Sequence, residues 1–178
     1  MAIAYSLIIP AYNEADRLPP YLASVRAYLT ATFPDAHEVL VVDDGSTDGT
    51  REQVAEAATQ WPALRLVCHS VNQGKGAAVR TGMLAAGGEI RLFADADGAT
   101  PIAEEGRLRA ALAAGADVAV ASRFAPAAGV TRRRNRFRGM VGWVFKTGVH
   151  CLLPTTVRDT QCGFKMFRHA AAERLFAL

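Results

Sequence analysis

Five short apolar runs, separated by segments with helical spacing, constrain this chain more than any other feature of its 178 residues. The runs show no internal alternation of apolar and polar residues, which is typical of a parallel sheet that helices cover on both faces. We therefore predict an α/β fold. The predicted strands are residues 4–9, 38–42, 64–68, 90–94 and 117–121, and the predicted helices contain residues 18–29, 54–61, 75–86 and 104–114.

Polar clusters follow four of these predicted strands. They are residues 10–14, 43–48, 95–97 and 122–123. The carboxyl ends of parallel strands meet at one edge of a sheet, and open α/β sheets bind their ligands there. The four clusters therefore predict one shared binding site.

The cluster Asp95-Ala96-Asp97 suits a metal ion. Two acids one residue apart on an extended chain point roughly the same way, so they repel each other unless a cation neutralises them. Mg²⁺ and Mn²⁺ bind carboxylates together with the phosphate oxygens of a substrate. The pattern is also common in turns, so its weight comes from the neighbouring clusters. Together they predict a metal–diphosphate site.

Two other clusters carry groups that suit a nucleoside. Tyr12 can stack on a base. The acid pair Asp43–Asp44 exceeds what a helix cap needs, and a carboxylate there can accept hydrogen bonds from a uracil imide or from ribose hydroxyls. The alternative for residues 10–14 is an ordinary strand-to-helix turn in which Glu14 complements the helix dipole.

Lys75 lies between two glycines at the start of a predicted helix. It can reach a phosphate from there, although a solvated lysine in a turn is the alternative. Neither a Gly-x-Gly-x-x-Gly pattern nor a P-loop follows any predicted strand, which argues against NAD binding and against ordinary ATPases.

Five arginines lie within residues 132–138, directly before an amphipathic segment that is predicted as a helix over residues 137–153. Such a charge run is often only solvated, but its position here favours a phosphate or an anionic membrane as partner.

The net charge of +3 is mild and no DNA-binding motif is present, so nucleic acid is not expected. The sequence contains no stretch of about twenty apolar residues, so no membrane-spanning helix is predicted from it. The three cysteines have no metal-type spacing, which indicates a reducing compartment.

Taken in order, these clusters resemble the family 2 glycosyltransferases with the GT-A fold, a Rossmann-like nucleotide-sugar-binding fold with a mostly parallel central sheet flanked by helices. Residues 159–165, Asp-Thr-Gln-Cys-Gly-Phe-Lys, together with the arginine cluster, look most like the dolichyl-phosphate or polyprenyl-phosphate β-glucosyltransferases within that family. The resemblance covers nearly the whole chain.

The resemblance implies a role for individual residues. The uridine would be held by Pro10, Ala11, Tyr12, Glu14, Val42 and Asp44. The ribose and the metal–diphosphate would be held by Asp95, Ala96 and Asp97, with Asp97 as the direct metal ligand, and the donor would also be contacted by Arg123 and Lys75. The sugar and acceptor side would be lined by Asp159, Gln161 and Lys165, and the acceptor phosphate would be contacted by Arg132, Arg133 and Arg136.

The resemblance also implies an activity. The chain would be a metal-dependent inverting transferase that moves glucose from UDP-glucose to a polyprenyl (dolichyl) phosphate, with Mg²⁺ or Mn²⁺ as cofactor. It would be peripherally associated with the cytoplasmic face of a membrane. Two alternatives stay open: a family 2 enzyme with another donor sugar or acceptor, and a non-catalytic UDP-sugar-binding module.

The expected domain organisation is a single GT-A domain over residues 1–178, with a nucleotide-binding part at 1–124 and an acceptor-facing part at 125–178. Two departures from the family pattern stand out. The chain stops at Leu178, whereas related enzymes continue into a further acceptor-side segment. Ala99 offers no side-chain metal ligand, so water or substrate would have to substitute there.

Overall fold

The structure is a computed structural model that describes residues 3–122, 159 and 161–177. The predictions for Arg123, for the arginine cluster at 132–138 and for the helix over 137–153 lie outside these residues. Contacts divide the chain into two compact units, one formed by residues 1–120 and 163–178 and the other by residues 121–162. The first unit contains the whole described sheet, and the predicted domain boundaries stay a prediction.

A six-stranded mixed sheet forms the first unit, with the spatial order β3-β2-β1-β4-β6-β5. Strands β1 to β4 are parallel to one another, while β6 runs antiparallel to both β4 and β5. The predicted, mostly parallel α/β sheet is therefore confirmed. The strands are β1 (Tyr5–Ala11), β2 (His37–Asp43), β3 (Leu64–Cys68), β4 (Ile90–Ala94), β5 (Val118–Val120) and β6 (Phe164–Arg168).

Strand β1 is longer than predicted, because Pro10 does not end its pairing with β2. Pro10 and Ala11 pair with Val42 and Asp43. The carbonyl of Ala11 accepts a hydrogen bond from the β2 side, so the preceding proline nitrogen faces the β4 side, where pairing already ends at Ile8. The missing N–H of proline therefore removes no bond from the sheet.

Within the described residues, the sheet is accompanied by five α-helices: α1 (Leu18–Thr32), α2 (Thr50–Gln60), α3 (Lys75–Ala85), α4 (Glu105–Ala113) and α5 (His169–Phe176). A single 3₁₀ turn, Ile102–Glu104, precedes α4. Two prolines occupy the first turn of α1, where a missing N–H costs no helical hydrogen bond. Among the described helices, none combines the length and the apolar character that crossing a membrane requires.

Helix α3 packs closely on the sheet through Gly82. A Cβ atom added at this position would lie within 3.0 Å of side-chain atoms of Ile8 and Val42. All three residues are buried, and Met83 and Phe93 belong to the same apolar cluster. This close approach fixes the distance between α3, whose first residue is Lys75, and the strands that carry the polar clusters.

The sequence patterns did not predict β6 and α5, and a buried arginine attaches both to the rest of the sheet. The guanidinium of Arg91 on β4 donates to the carbonyl of Met83, to Glu173 Oε1 and to His169 Nδ1, each at 2.6 Å. His169 and Glu173 belong to α5. The segment that begins at residue 163 is thus held firmly beside β4.

Candidate functional site

A cavity of about 460 Å³ opens at the carboxyl ends of β1, β2 and β4, where the polar clusters were predicted to meet. We call it the strand-end cavity. The predicted residue Val42 lies beneath it in the buried core rather than on its surface. The lining residues are Pro10, Ala11, Tyr12, Glu14, Asp44, Asn72, Gly74, Lys75, Ala78, Asp95, Ala96 and Asp97.

The loops after β1 and β2 are joined by reciprocal hydrogen bonds. The amide of Asn13 donates to Ser46 Oγ at 3.0 Å, and Asn13 Oδ1 accepts from the amide of Thr47 at 2.9 Å. The amide of Glu14 donates to Thr50 Oγ1 at 2.9 Å. Asn13 adopts a positive φ of 54°, a conformation that asparagine tolerates better than most residues. These bonds fix the backbone that presents Tyr12 and Glu14 to the cavity.

Glu14 keeps one carboxylate oxygen without a protein partner. Its Oε1 accepts from the guanidinium of Arg17 at 2.7 Å, whereas its buried Oε2 has no hydrogen-bond partner among the described residues. Buried polar atoms are nearly always hydrogen-bonded. Because Glu14 lines the cavity, the unpaired oxygen suits a hydrogen-bond donor of a bound ligand.

Asp44 connects three parts of the site. Its buried carboxylate accepts hydrogen bonds from the amides of Gln73 and Gly74, at 2.9 and 2.8 Å, and from the imidazole of His69 at 2.7 Å. Burial raises the pKa of Asp44, but the hydrogen bonds from Gln73, His69 and Gly74 outweigh it and hold that pKa below its ordinary value. Asp44 is therefore an ionised acceptor that faces the cavity and also holds the start of α3.

The two acids of the Asp43–Asp44 pair have different roles. Asp43 is fully buried and its Oδ2 accepts from Nε and Nη2 of Arg51, at 2.9 and 2.8 Å. It does not line the cavity within the described part of the chain. The partner of Asp44, His69, was not predicted from the sequence, although its place directly after β3 matches that of the other clusters.

Lys75 and Asp95 form an ion pair at the opposite side of the cavity. The amide of Asp95 donates to the carbonyl of Gly163 at 3.1 Å, which extends the pairing of β4 with β6 by one residue. Asp97 is exposed, and its Oδ1 accepts from the amide of Ala99 at 3.0 Å. Both predicted metal ligands therefore lie at the edge of the cavity, next to a cation that already contacts one of them.

Tyr21 of α1 supports the turn that carries the two acids. Gly98 has a positive φ of 63°, and a Cβ there would lie 2.9 Å from Cδ2 of the Tyr21 ring. Burial, followed by the charges of Asp95 and Asp97, raises the pKa of the Tyr21 hydroxyl. That hydroxyl is buried and has no partner among the described residues, so it stays a neutral donor beside the acids.

The donor set at this edge fits a hard divalent cation that a ligand helps to coordinate. Within the described residues, no group of three or more His, Cys, Asp or Glu side chains could hold a metal ion by itself. Asp95 and Asp97 supply carboxylate oxygens, the ligands that Mg²⁺ and Mn²⁺ accept together with substrate phosphates. Residues Asp95 and Asp97 would hold such an ion once a phosphate-bearing ligand completes its coordination.

The predicted acceptor-side residues are divided between the two units. Lys165 lies on β6, half-buried, with its Nζ 5.8 Å from the ring centroid of Phe93. Asp159 is buried and Gln161 is exposed, and both belong to the second unit. Arg123, Arg132, Arg133 and Arg136 lie outside the described residues, so their roles stay predictions.

Comparison with known proteins gives a consistent result. Residues 6–176 match the glycosyl transferase family 2. The dolichyl-phosphate beta-glucosyltransferase of Drosophila melanogaster is 38% identical in a gapped alignment of length 187, which covers 98% of this chain and 57% of that protein. The protein of the same name from Homo sapiens is 34% identical in an alignment of length 184, which covers 97% of this chain and 57% of that protein. The chain thus spans about half the length of the curated relatives it matches.

Solved structures resemble the chain as well. A mannosyltransferase from Pyrobaculum calidifontis, in complex with GDP-Man and Mn²⁺, has a TM-score of 0.65 and 25% identity, covering 98% of this chain and 47% of that one. Mannosyl-3-phosphoglycerate synthase from Rubrobacter xylanophilus has a TM-score of 0.70 at 20% identity, with 94% and 54% covered, which shows a shared fold.

Proposed function

The chain belongs to glycosyl transferase family 2 and has the GT-A fold, and on this premise we propose that it transfers glucose from UDP-glucose to a polyprenyl phosphate such as dolichyl phosphate, with Mg²⁺ or Mn²⁺ as cofactor. Relatives that share about a third of their residues with it are named dolichyl-phosphate beta-glucosyltransferases. That name supports both the sugar and the lipid of the proposal.

The observation that carries the proposal is the arrangement of charges around the strand-end cavity. Asp44 and Glu14 lie on one side as hydrogen-bond acceptors, which suits the imide and hydroxyl donors of uridine. Asp95, Asp97 and Lys75 lie on the other side, which suits a metal-bound diphosphate. A nucleoside diphosphate has these two halves in one molecule.

The proposed chemistry needs little from a general base. The acceptor is a phosphate, which is already an anion near neutral pH, so it can attack the sugar without losing a proton first. A divalent cation, when bound, stabilises the negative charge of the departing diphosphate. The protein then contributes mainly by orienting the donor, and Lys75 adds a positive charge where the diphosphate would lie.

We assign the acceptor side from sequence resemblance. Arg132, Arg133 and Arg136 would bind the lipid phosphate, and Asp159, Gln161 and Lys165 would line the path between sugar and acceptor. Five arginines next to an amphipathic segment suit the anionic surface of a membrane, where each is worth about 1 kcal/mol of attraction. This supports peripheral association with the membrane face on which the lipid phosphate is exposed.

The donor needs its own test, because the structural relative from Pyrobaculum calidifontis was solved with GDP-Man. Calorimetric titration with UDP-glucose, UDP-GlcNAc and GDP-mannose, each with Mn²⁺ and with chelator, ranks the candidates. We expect UDP-glucose to bind most tightly and to lose at least about tenfold in affinity, or 1.4 kcal/mol, when the metal is removed. Tighter binding of GDP-mannose would contradict the assigned donor, and binding that ignores the metal would contradict the assigned cofactor.

A further inference from the structure

The carboxylate of Asp95 lies directly against the backbone of Gly163. A Cβ atom added to Gly163 would come within 3.0 Å of Oδ1, Oδ2 and Cγ of Asp95, closer than real Cβ atoms approach other atoms. The carbonyl of Gly163 also accepts the amide hydrogen bond of Asp95, at 3.1 Å. Gly163 thus binds the backbone amide of Asp95 through its carbonyl and also lies against the side-chain carboxylate of the same residue.

Space, rather than backbone conformation, explains why this position suits glycine. The described glycines with a positive φ are Gly45, Gly74, Gly98 and Gly115, and Gly163 is not one of them. An alanine at position 163 therefore meets no conformational penalty from its own backbone. The three heavy atoms nearest to its new Cβ would all belong to the carboxylate of Asp95.

Asp95 cannot easily retreat from such a collision without losing its place in the cavity. Its Oδ1 is paired with Lys75. The segment after Gly163 is fixed in turn, because β6 pairs with β4 along five residues and Arg91 holds α5. The carboxylate therefore lies between Lys75 and Gly163, and a shift away from Gly163 would change its position in the cavity.

We propose that Gly163 is a positioning residue for the metal-binding carboxylate of Asp95. Its missing side chain leaves the space in which Asp95 reaches the proposed metal–diphosphate. The proposal rests on the proposed function, since it takes Asp95 to be a metal ligand. It also gives a role to the residue directly before β6, which does not follow from the sequence pattern.

Gly163→Ala, Asp95→Ala and the double variant test this proposal, and Gly106→Ala, whose Cβ meets open space on α4, is the matched control. The measurement is the affinity for UDP with Mn²⁺ and with chelator, and the affinity for uridine. We expect Gly163→Ala to lose about as much Mn²⁺-dependent UDP affinity as Asp95→Ala, because a displacement of about 1 Å is enough to disrupt a catalytic geometry. The double variant should lose no more than Asp95→Ala alone. Uridine affinity and the Gly106→Ala control should be unchanged.

Two results separate the failure of this inference from the failure of the proposed function. Wild-type UDP affinity in Gly163→Ala, or losses that add in the double variant, would overturn the role of Gly163 alone. Equal UDP affinity of the wild type with Mn²⁺ and with chelator would overturn the metal assignment, and this inference with it. Should Gly163→Ala fail to fold, recovery of cooperative unfolding in the double variant supports the proposal, and its absence overturns it.

Discussion

The imidazole of His69 donates a hydrogen bond to the carboxylate of Asp44, with 2.7 Å between Nδ1 and Oδ1. The other ring nitrogen, Nε2, lies 3.0 Å from the hydroxyl of Thr81 on α3. The same carboxylate accepts the amides of Gln73 and Gly74 at the start of that helix. Asp44 thus joins the ends of β2 and β3 to the beginning of α3, and the shape of the cavity depends on it.

Replacing this carboxylate should weaken nucleoside binding. We expect Asp44→Asn to lower the affinity for UDP-glucose and for free uridine alike, by roughly ten- to a hundredfold, since a hydrogen bond to a charged group is worth about 1.5–3 kcal/mol. Asp117→Asn, which changes an exposed acid far from the cavity, is the control. Titration with both ligands checks the prediction, and a loss confined to the sugar-bearing ligand would place Asp44 at the sugar instead.

Asp44 should also make the stability of the protein depend on pH. Its pKa is lower in the folded state than the value of about 3.9 expected in the unfolded chain, so its stabilising contribution is complete above that value. The contribution is lost as the pH falls through the folded pKa. Urea unfolding from pH 6 down to pH 2 should therefore show a smaller loss of unfolding free energy for Asp44→Asn than for the wild type. Parallel curves for the two proteins would show that Asp44 is not the group responsible.

Replacing Lys75 should change the affinities for the diphosphate and for the metal ion in opposite directions. Its ammonium pairs with Asp95, so Lys75→Met removes a cation that competes for the proposed metal ligand. Without nucleotide, the two carboxylates alone should bind Mn²⁺ only weakly, and we expect this weak binding to be tighter in the variant than in the wild type, while UDP binds less tightly and uridine binds unchanged. Arg80→Met, on the same helix, is the control for lost positive charge. Weaker Mn²⁺ binding in Lys75→Met would contradict competition between the two cations.

Two glycines of α3 should respond oppositely to alanine. Gly82→Ala forces a Cβ against Ile8 and Val42 and should destabilise the protein by about 1–3 kcal/mol, the usual cost of overpacking a core. Gly76→Ala meets nothing within 4 Å and should stabilise it by about 0.5 kcal/mol, since alanine favours helices. Urea unfolding at neutral pH measures both, and a Gly82→Ala variant as stable as the wild type would mean that α3 does not pack on the sheet through Gly82.

Much of the fold followed from the sequence because the central strands are continuous apolar runs. The limits of β3 and β4 were predicted to the residue, and three of the four polar clusters were correctly expected at one edge of the sheet, while Arg123 of the fourth lies outside the described residues. Strand β6 was missed because its sequence, Phe-Lys-Met-Phe-Arg, is neither a continuous apolar run nor a strict alternation of apolar and polar residues. A five-residue strand without alternation after an irregular segment gives no periodic signal.

The site was predicted less completely because it depends on the direction in which each side chain points. Asp43 and Asp44 are adjacent in sequence, yet the buried Asp43 pairs with Arg51, whereas Asp44 faces the cavity. The sequence shows two adjacent acids, but only the structure shows where β2 ends and therefore which of the two faces the cavity. His69 contacts Asp44, which is 25 positions away, and Gly163 lies against the distant Asp95, and no local sequence pattern records such contacts.

Formation of lipid-linked glucose tests the central claim most directly. The chain is incubated with UDP-glucose carrying a labelled sugar, dolichyl phosphate and Mn²⁺, alongside Asp97→Asn and a reaction containing chelator. We predict labelled glucose in the lipid fraction for the wild type, and a decrease of about a hundredfold or more both with chelator and in Asp97→Asn. The chelator removes the cation that would stabilise the leaving diphosphate, and the substitution removes a carboxylate proposed to hold that cation. Tight binding of UDP-glucose without any labelled lipid would contradict a glucosyltransferase and favour a sugar-nucleotide-binding module.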